Sequence, residues 1–224
     1  MQTNLFYHFI SGVTLLSGCI AFYTSAHSHG HNHDHAHHHE MTEQERQIFA
    51  GYFSNAEVKD RPLSDWQGNW QSVYSYLLAG DLDAVLAAKA ASDGTKTFAG
   101  FKDYYEKGYA TNIDLISIEG DEIYFFAKDK MSSCRYTYEG YKILDYQAGN
   151  RGVRYLFQCR DPASSAPKYV QFSDHGIAPA PSFHFHLYLG NESQVELENE
   201  VTNWPTFYPL SYDKADIVEE MLAH

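Results

Sequence analysis

From Ile113 onward, the chain consists of short runs of β-branched and aromatic residues separated by Gly, Asn and Asp. The first two runs, residues 113–118 and 122–126, flank Glu119-Gly120-Asp121, which is a hairpin signal. Further strand-like runs follow at residues 134–138, 141–146, 153–159, 168–172 and 183–189. The chain also contains 18 Tyr and 14 Phe, and aromatic enrichment favours strands over helices. Short strands joined by tight turns predict an antiparallel barrel or sandwich.

Helices are predicted on either side of this strand-rich region. A capping box at Thr42-Glu43-Gln44-Glu45 opens a helix that we expect to run to about Phe53. Ser64-Asp65-Trp66-Gln67 resembles a second capped turn, and residues 82–91, 97–107 and 214–222 have helical patterns. No repeat or long linker divides residues 41–224, so we expect one mainly β domain with flanking helices.

Residues 1–26 contain no Lys, Arg, Asp or Glu. Their apolar run, residues 9–16, is too short to span a bilayer, and small residues follow at 24–26. We interpret residues 1–26 as a cleaved secretory signal. The alternative is a bacterial lipobox, Leu16-Ser17-Gly18-Cys19, in which Cys19 would be lipidated and become the first residue. Both interpretations predict export, and only the second gives a contact with the membrane.

Export leaves two cysteines in the predicted domain, Cys134 and Cys159. An even number of cysteines in an oxidising compartment favours a disulfide. The alternative is that both thiolates bind a metal ion, but other metal-binding residues near them in the sequence would be required and none is found.

Three histidines form the sharpest candidate metal site. In FHFHL, residues 183–187, His184 and His186 are two positions apart, so on a strand both rings point to one face, roughly 6 to 7 Å apart. His175 ends the preceding predicted strand, and residues 176–182 are long enough to return the chain antiparallel. An isolated His-x-His pair is often ordinary strand sequence. A third histidine across the hairpin favours a zinc site with three imidazole ligands and one open position.

Residues 27–40, HSHGHNHDHAHHHE, contain eight further histidines among small and polar residues. They are His27, His29, His31, His33, His35, His37, His38 and His39. With almost no apolar residue to pack, this segment is expected to be mobile and to bind metal weakly, because each capture must order the chain. It is interpreted as an auxiliary metal-binding segment that serves a tighter site elsewhere.

The charge balance of 16 basic and 29 acidic residues gives a net charge of -13. Such a surface attracts cations and repels nucleic acid, which we therefore exclude as a partner. The sequence contains no H-E-x-x-H or G-x-S-x-G motif, and Asp174 should point away from its neighbour His175 if the strand continues through both. The sequence supplies candidate metal ligands but no recognisable catalytic residues beside them. We therefore expect a binding protein and not an enzyme.

Taken together, these features resemble the ZinT (YodA) family of bacterial periplasmic zinc-binding proteins. The resemblance covers essentially the whole chain after the signal. Besides the His-rich start, it depends on SDWQGNWQSVY at 64–74, TFAGFKDYYEKGYATNI at 97–113, GYKILDY at 140–146, GVRYLFQC at 152–159, APKYVQFSDH at 166–175, FHFHLYLGN at 183–191, NWPTFYP at 203–209 and the ending IVEEMLAH.

The resemblance implies a calycin or lipocalin-like barrel whose first strand opens at Gly68-x-Trp70. It also implies that His175, His184 and His186 bind Zn²⁺, and Cd²⁺ as well, at the barrel mouth. Water, an anion or the flexible histidines would take the fourth position. Members of the family help to deliver zinc to the binding protein of a zinc ABC importer, and they are usually soluble in the periplasm. The lipobox-like LSGC sequence of this chain departs from that soluble location. The alternatives are a small zinc hydrolase that uses the same histidines and a lipocalin-like carrier of apolar ligands.

Overall fold

The computed structural model of the protein describes residues 41–223. The predicted signal peptide at residues 1–26, the candidate lipidation site Cys19 and the His-rich segment at residues 27–40 lie outside the described residues. The description below therefore concerns the domain that begins at Met41.

Eight antiparallel strands form a closed barrel in which each strand pairs with the next and β8 pairs with β1. The strands are β1 (Gly68–Ser72), β2 (Leu115–Glu119), β3 (Glu122–Ala127), β4 (Lys130–Asp145), β5 (Arg151–Cys159), β6 (Tyr169–Ser173), β7 (Phe185–Gly190) and β8 (Thr206–Pro209). This arrangement confirms the predicted single antiparallel barrel of the calycin or lipocalin type. Closure removes the unpaired strand edges that an open sheet would expose.

Six helices flank the barrel within residues 41–223. They are α1 (Glu43–Phe49), α2 (Tyr74–Leu78), α3 (Asp83–Asp93), α4 (Phe98–Tyr109), α5 (Gln194–Asn199) and α6 (Lys214–Ala223). The predicted capped turn before β1 is a short 3-10 helix, Leu63–Trp66. None of the helices described between residues 41 and 223 combines the length and apolar character needed to cross a membrane.

Helix α1 is shorter than predicted because it ends at Phe49 and not near Phe53. Gly51 turns the chain with φ +88°, and its carbonyl accepts a hydrogen bond from the amide of Arg151 on β5. A Cβ at Gly51 would lie 2.5 Å from the Arg151 carbonyl oxygen. A left-handed conformation and this close approach both require glycine. The backbone of residues 50–51 is therefore held against the barrel.

Strand β4 joins two runs that the sequence analysis separates, residues 134–138 and 141–146. The residues between them form a bulge at Tyr138 to Gly140 and not a turn. Gly140 has φ +105°, which suits the bulge. The continuous strand pairs with β5 along most of its length.

Aromatic rings fill the barrel interior. The ring of Trp66 stacks on Phe172 at 4.9 Å between centroids and meets the edge of Phe157 at 6.0 Å. Trp70 and Phe185 are in edge contact at 4.8 Å, and Phe172 lies 5.1 Å from Phe185. Such contacts stabilise the fold beyond the burial of apolar area. An apolar ligand inside the barrel would have to displace these rings, which argues against the lipocalin-like carrier.

A second apolar cluster joins the helices to the outside of the barrel. Its buried members are Val73, Leu77, Leu82, Val85, Leu86, Phe101, Tyr109, Tyr208, Ile217 and Met221. Val73 and Leu82 immediately precede α2 and α3, and the other members come from α2, α3, α4, α6 and β8. The C-terminal helix is thereby packed beside β8, next to the region described below as the metal centre.

A disulfide joins Cys134 on β4 to Cys159 on β5, with the two Cα atoms 5.7 Å apart. The bond closes a loop with a sequence separation of 25 residues. Both strands are already paired in the barrel. The disulfide therefore constrains mainly the unfolded chain.

We expect the double variant Cys134→Ala, Cys159→Ala to lose about 3 kcal/mol of unfolding free energy, because its unfolded chain regains the entropy of the open loop. Urea denaturation of the exported protein measures this quantity. The wild-type protein in a reducing agent is the control and should show a similar loss. Equal stability of oxidised wild type and the double variant would contradict this account.

Candidate metal centre

The structure brings the three predicted histidines together at one end of the barrel. His186 lies on β7 opposite Ser173, the last residue of β6. His175 lies two residues beyond β6, and His184 lies one residue before β7. The connection between β6 and β7, residues 174–184, carries His175 and His184. It is longer than the seven-residue loop, residues 176–182, predicted from the sequence. Even so, one ligand nitrogen from each histidine lies within 4.8 Å of the others.

The three rings are arranged around a common point. Their centroids are 5.4 Å apart for His175 and His184, 5.9 Å for His184 and His186, and 6.4 Å for His175 and His186. The interplanar angles are 61° to 71°, so the rings are inclined and not stacked on one another. Tetrahedral zinc with Zn–N bonds of about 2.0–2.1 Å places its nitrogens about 3.4 Å apart. Small side-chain rotations would bring the three nitrogens to that spacing.

His175 is oriented by helix α1. Its Nδ1 lies 3.0 Å from the carbonyl oxygen of Phe49, and its ring stacks on the Phe49 ring at 3.9 Å. Because a carbonyl only accepts, Nδ1 must donate its proton in this contact. The lone pair that can bind a metal ion is then on Nε2.

His186 is oriented by a buried hydroxyl. Its Nδ1 lies 2.8 Å from Thr206 Oγ1, and the Thr206 hydroxyl itself donates to the carbonyl of Trp204 at 2.9 Å. The hydroxyl proton is therefore already used, so Nδ1 of His186 donates and Nε2 presents the lone pair. Trp204 is fixed in turn, because its amide donates to the carbonyl of Gly108 on α4. A Cβ at Gly108 would lie 2.4 Å from the Trp204 ring.

His184 is 7% exposed and lies between β8 and α6. Its ring stacks on Tyr208 at 5.2 Å, and its Nδ1 lies 3.9 Å from a carboxylate oxygen of Glu220. Burial raises the pKa of the Tyr208 phenol, and the charge of Glu220 raises that pKa further. The Tyr208 hydroxyl therefore stays protonated at neutral pH in the metal-free protein.

A cavity of about 190 Å³ adjoins the site. It is lined by His175 and His186 together with residues of α1 and of the β4–β5 hairpin, such as Phe49 and Tyr146. The volume is sufficient for several waters or a small anion. The donor set and this space suit an ion that has three imidazole ligands and one exchangeable position.

Asp174 lies just beyond the end of β6, so the condition for its predicted opposite-facing orientation, a strand that continues through it, is not met. Its Oδ1 accepts a hydrogen bond from Nη1 of Arg61 at 2.6 Å and another from the amide of Gly176 at 2.8 Å. Within residues 41–223, the three histidines form the one group of at least three His, Cys, Asp or Glu side chains with ligand atoms this close. Asp174 lines the cavity beside His175 and His186, and its carboxylate is paired with Arg61.

Sequence reasoning missed the groups that orient the rings. They are Phe49, Thr206, Tyr208 and Glu220, and they come from α1, β8 and α6. Phe49 lies 126 positions from His175 in the chain. No local pattern marks such partners, since ordinary Phe, Thr, Tyr and Glu side chains carry no metal-binding signal of their own.

Known proteins share both the sequence and the fold. YrpE of Bacillus subtilis (strain 168), described as a probable metal-binding protein, is 51% identical over 182 residues, or 81% of this chain and 72% of YrpE. The zinc-binding lipoprotein AdcA of Streptococcus pneumoniae (strain ATCC BAA-255 / R6) is 46% identical over 185 residues, or 83% of this chain. The chain spans 37% of AdcA, so most of AdcA lies outside the match.

The crystal structure of the Zn(II)-bound ZinT-like domain of S. pneumoniae AdcA is similar, with a TM-score of 0.76 and 47% identity over 78% of this chain and 97% of that domain. The Zn(II)-bound structure of AdcA gives a TM-score of 0.77 and covers 79% of this chain and 38% of AdcA. A family model described as ZinT (YodA) periplasmic lipocalin-like zinc-recruitment matches residues 44–224. The chain therefore belongs to the ZinT (YodA) family.

Proposed function

We propose that this protein is an exported zinc-binding protein that captures zinc during scarcity and passes it to the binding protein of a zinc ABC importer. The observation that carries the proposal is the convergence of His175, His184 and His186, with one nitrogen of each within 4.8 Å of the others. Relatives described as zinc-binding, and Zn(II)-bound structures at 47% identity, support zinc as the ion. Cd²⁺ has the same charge and accepts nitrogen ligands, so the same site should bind it.

Transfer of the ion, and not chemistry on it, fits the surroundings of the site. Three neutral imidazoles bring no charge of their own to the ion and leave one position open, so an acceptor protein could add its own ligand there. In AdcA, a ZinT-like domain is part of a longer zinc-binding chain, which is consistent with action beside a second zinc-binding protein.

A zinc hydrolase would need a general base or an electrophilic group near the open position. Asp174, next to His175, is paired with Arg61, and the Glu220 carboxylate lies 3.9 Å from Nδ1 of His184. The names of the relatives refer to metal binding and not to catalysis, so we propose a carrier and not an enzyme. Hydrolysis of generic esters or phosphates by the zinc-loaded protein, lost on removal of zinc, would favour the hydrolase instead.

The location proposed is the periplasm, after cleavage of residues 1–26. The family model is described as periplasmic, whereas AdcA of S. pneumoniae is described as a lipoprotein. The latter supports the alternative of a lipid anchor at Cys19, in the sequence LSGC. Mass spectrometry of the mature amino terminus distinguishes the two, because only lipidation leaves a diacylated Cys19.

The triple variant of His175, His184 and His186 to Ala should lose the single tight zinc equivalent, because it removes all three proposed ligands. Each single Ala variant should weaken binding by orders of magnitude, since two imidazoles cannot complete a stable zinc site. Competition with a chelating dye measures both effects. A tight equivalent retained by the triple variant would show that the ion is bound elsewhere.

Deletion of residues 27–39 should lower the total zinc capacity and leave the tight equivalent nearly unchanged. The segment holds eight histidines among small and polar residues with almost no apolar side chain, so they are expected to add weak, multivalent sites. Equilibrium dialysis over a range of zinc concentrations separates the two classes of site. If the tight equivalent disappears with the deletion, these histidines complete the primary site.

Thr206→Val should weaken zinc binding by about 10- to 100-fold, the range typical for partners that orient a ligating histidine. The substitution keeps the shape of the side chain but removes the oxygen that accepts the Nδ1 proton of His186. Thr206→Ser is the matched control, because it keeps the hydroxyl and should bind zinc nearly as well as wild type. The same dye competition measures both variants, and equal affinity of the Val and Ser variants would contradict the proposed role.

A further inference from the structure

We infer that Arg61 is a positioning residue of the metal centre, which holds the loop between His175 and His184 in its binding conformation before zinc arrives. The loop in question, residues 174–184, is called the ligand loop below. The inference rests on the proposed function, since it concerns how the same three histidines are held.

The ligand loop has no regular secondary structure between the end of β6 and the start of β7. It carries His175 near one end and His184 at the other. A loop of this kind costs conformational free energy to order, and the cost grows with each residue that is fixed. If that ordering occurred on zinc binding, it would weaken the affinity by the same amount.

Arg61 fixes the loop at three points. Its Nη1 donates to Asp174 Oδ1 at 2.6 Å and to the carbonyl of Gly176 at 3.3 Å, and its Nη2 donates to the carbonyl of Ala180 at 2.8 Å. Its Nε donates to Asp65 Oδ2 at 2.8 Å. These bonds use the planar fork of the guanidinium, which a Lys ammonium cannot reproduce.

The residues next to Arg61 hold the same loop. The amide of Lys59 donates to the carbonyl of Ile177 at 2.8 Å. Asp65 accepts from the amide of Ala180 through its carboxylate at 3.0 Å and from the amide of Ser182 through its carbonyl at 2.8 Å. The segment 59–65 therefore contacts the ligand loop along most of its length, with Arg61 at the centre.

The guanidinium is held in place by the barrel core. The Arg61 side chain is 1% exposed, and it lies over the rings of Trp66 at 4.3 Å and Tyr155 at 5.1 Å. A Cβ at Gly176 would lie 2.8 Å from Nη1 of Arg61, so the loop backbone passes very close to it. The packed rings thus determine where Arg61 lies, and Arg61 determines where the ligand loop lies.

The chain offers a matched control in Arg154, which is also 1% exposed. Its guanidinium lies over Tyr188 and donates to the carbonyls of Leu197 and Glu200 at the end of α5. Arg154 thus ties a helix to the barrel through buried bonds of the same chemical type. None of these contacts involves the ligand loop.

The test compares Arg61→Lys and Arg154→Lys in the full exported chain. Both should lower the melting temperature, because both remove buried hydrogen bonds. Only Arg61→Lys should weaken the tight zinc equivalent, by tenfold or more in competition with a chelating dye, while the stoichiometry stays at one. In the zinc-free protein it should also speed hydrogen exchange at the amides of Ala180 and Ser182, and zinc should restore their protection.

Asp65→Asn provides a second variant should Arg61→Lys not fold. It keeps the volume of the side chain but removes the charge that pairs with Arg61, so it should weaken zinc binding in the same direction by a smaller factor. Unchanged affinity in the folded Arg61 or Asp65 variant would overturn the inference. Equal loss of affinity in Arg61→Lys and Arg154→Lys would also overturn it, since the effect would then follow global stability. Wild-type protein without a tight equivalent would instead refute the proposed function itself.

Discussion

The antiparallel pairing of β6 with β7 is the constraint on which the metal centre depends. It places Ser173 opposite His186, so that a histidine just beyond the end of β6 and one just before β7 must come close to the same point. Pairing of β7 with β8 then brings Thr206 beside His186. A slip of one residue in either register would turn the ring of His186 to the other face of the barrel. The hydrogen bonds of the sheet therefore also align the three histidines.

The three histidines are oriented from three different directions. Helix α1 supplies the Phe49 carbonyl, β8 supplies the Thr206 hydroxyl, and α6 brings Glu220 near His184. These elements come from the beginning, the end and the closing strand of the described domain. The candidate centre is consequently assembled only when the barrel has closed and both terminal helices have packed, although its three histidines lie within twelve residues of one another in the sequence.

Much of the fold could be predicted from the sequence, because alternation and turn residues are local signals. The failures occurred where a distant contact decided the outcome. Helix α1 ends earlier than predicted because Gly51 contacts Arg151, about a hundred residues away. Strand β4 was predicted as two strands because glycine is typical of both turns and bulges, and here Gly140 lies in a bulge. Strand β8 has only four residues and ends in proline, so it has too little pattern to predict. At the site, the His-x-His spacing pointed to the three histidines, and their role as zinc ligands stays a prediction. Their orienting partners could not be found without the fold.

The aromatic packing inside the barrel determines what happens to the fold when the metal ion leaves. In a zinc finger, the ion supplies folding free energy, so loss of the metal destroys the structure. Here the stabilising contacts among Trp66, Phe172 and Phe185 lie inside the barrel and involve no ligand. An emptied molecule is therefore expected to keep its shape. Under the proposed carrier function, one molecule would then bind and release zinc repeatedly, so that few copies would be needed to carry many ions.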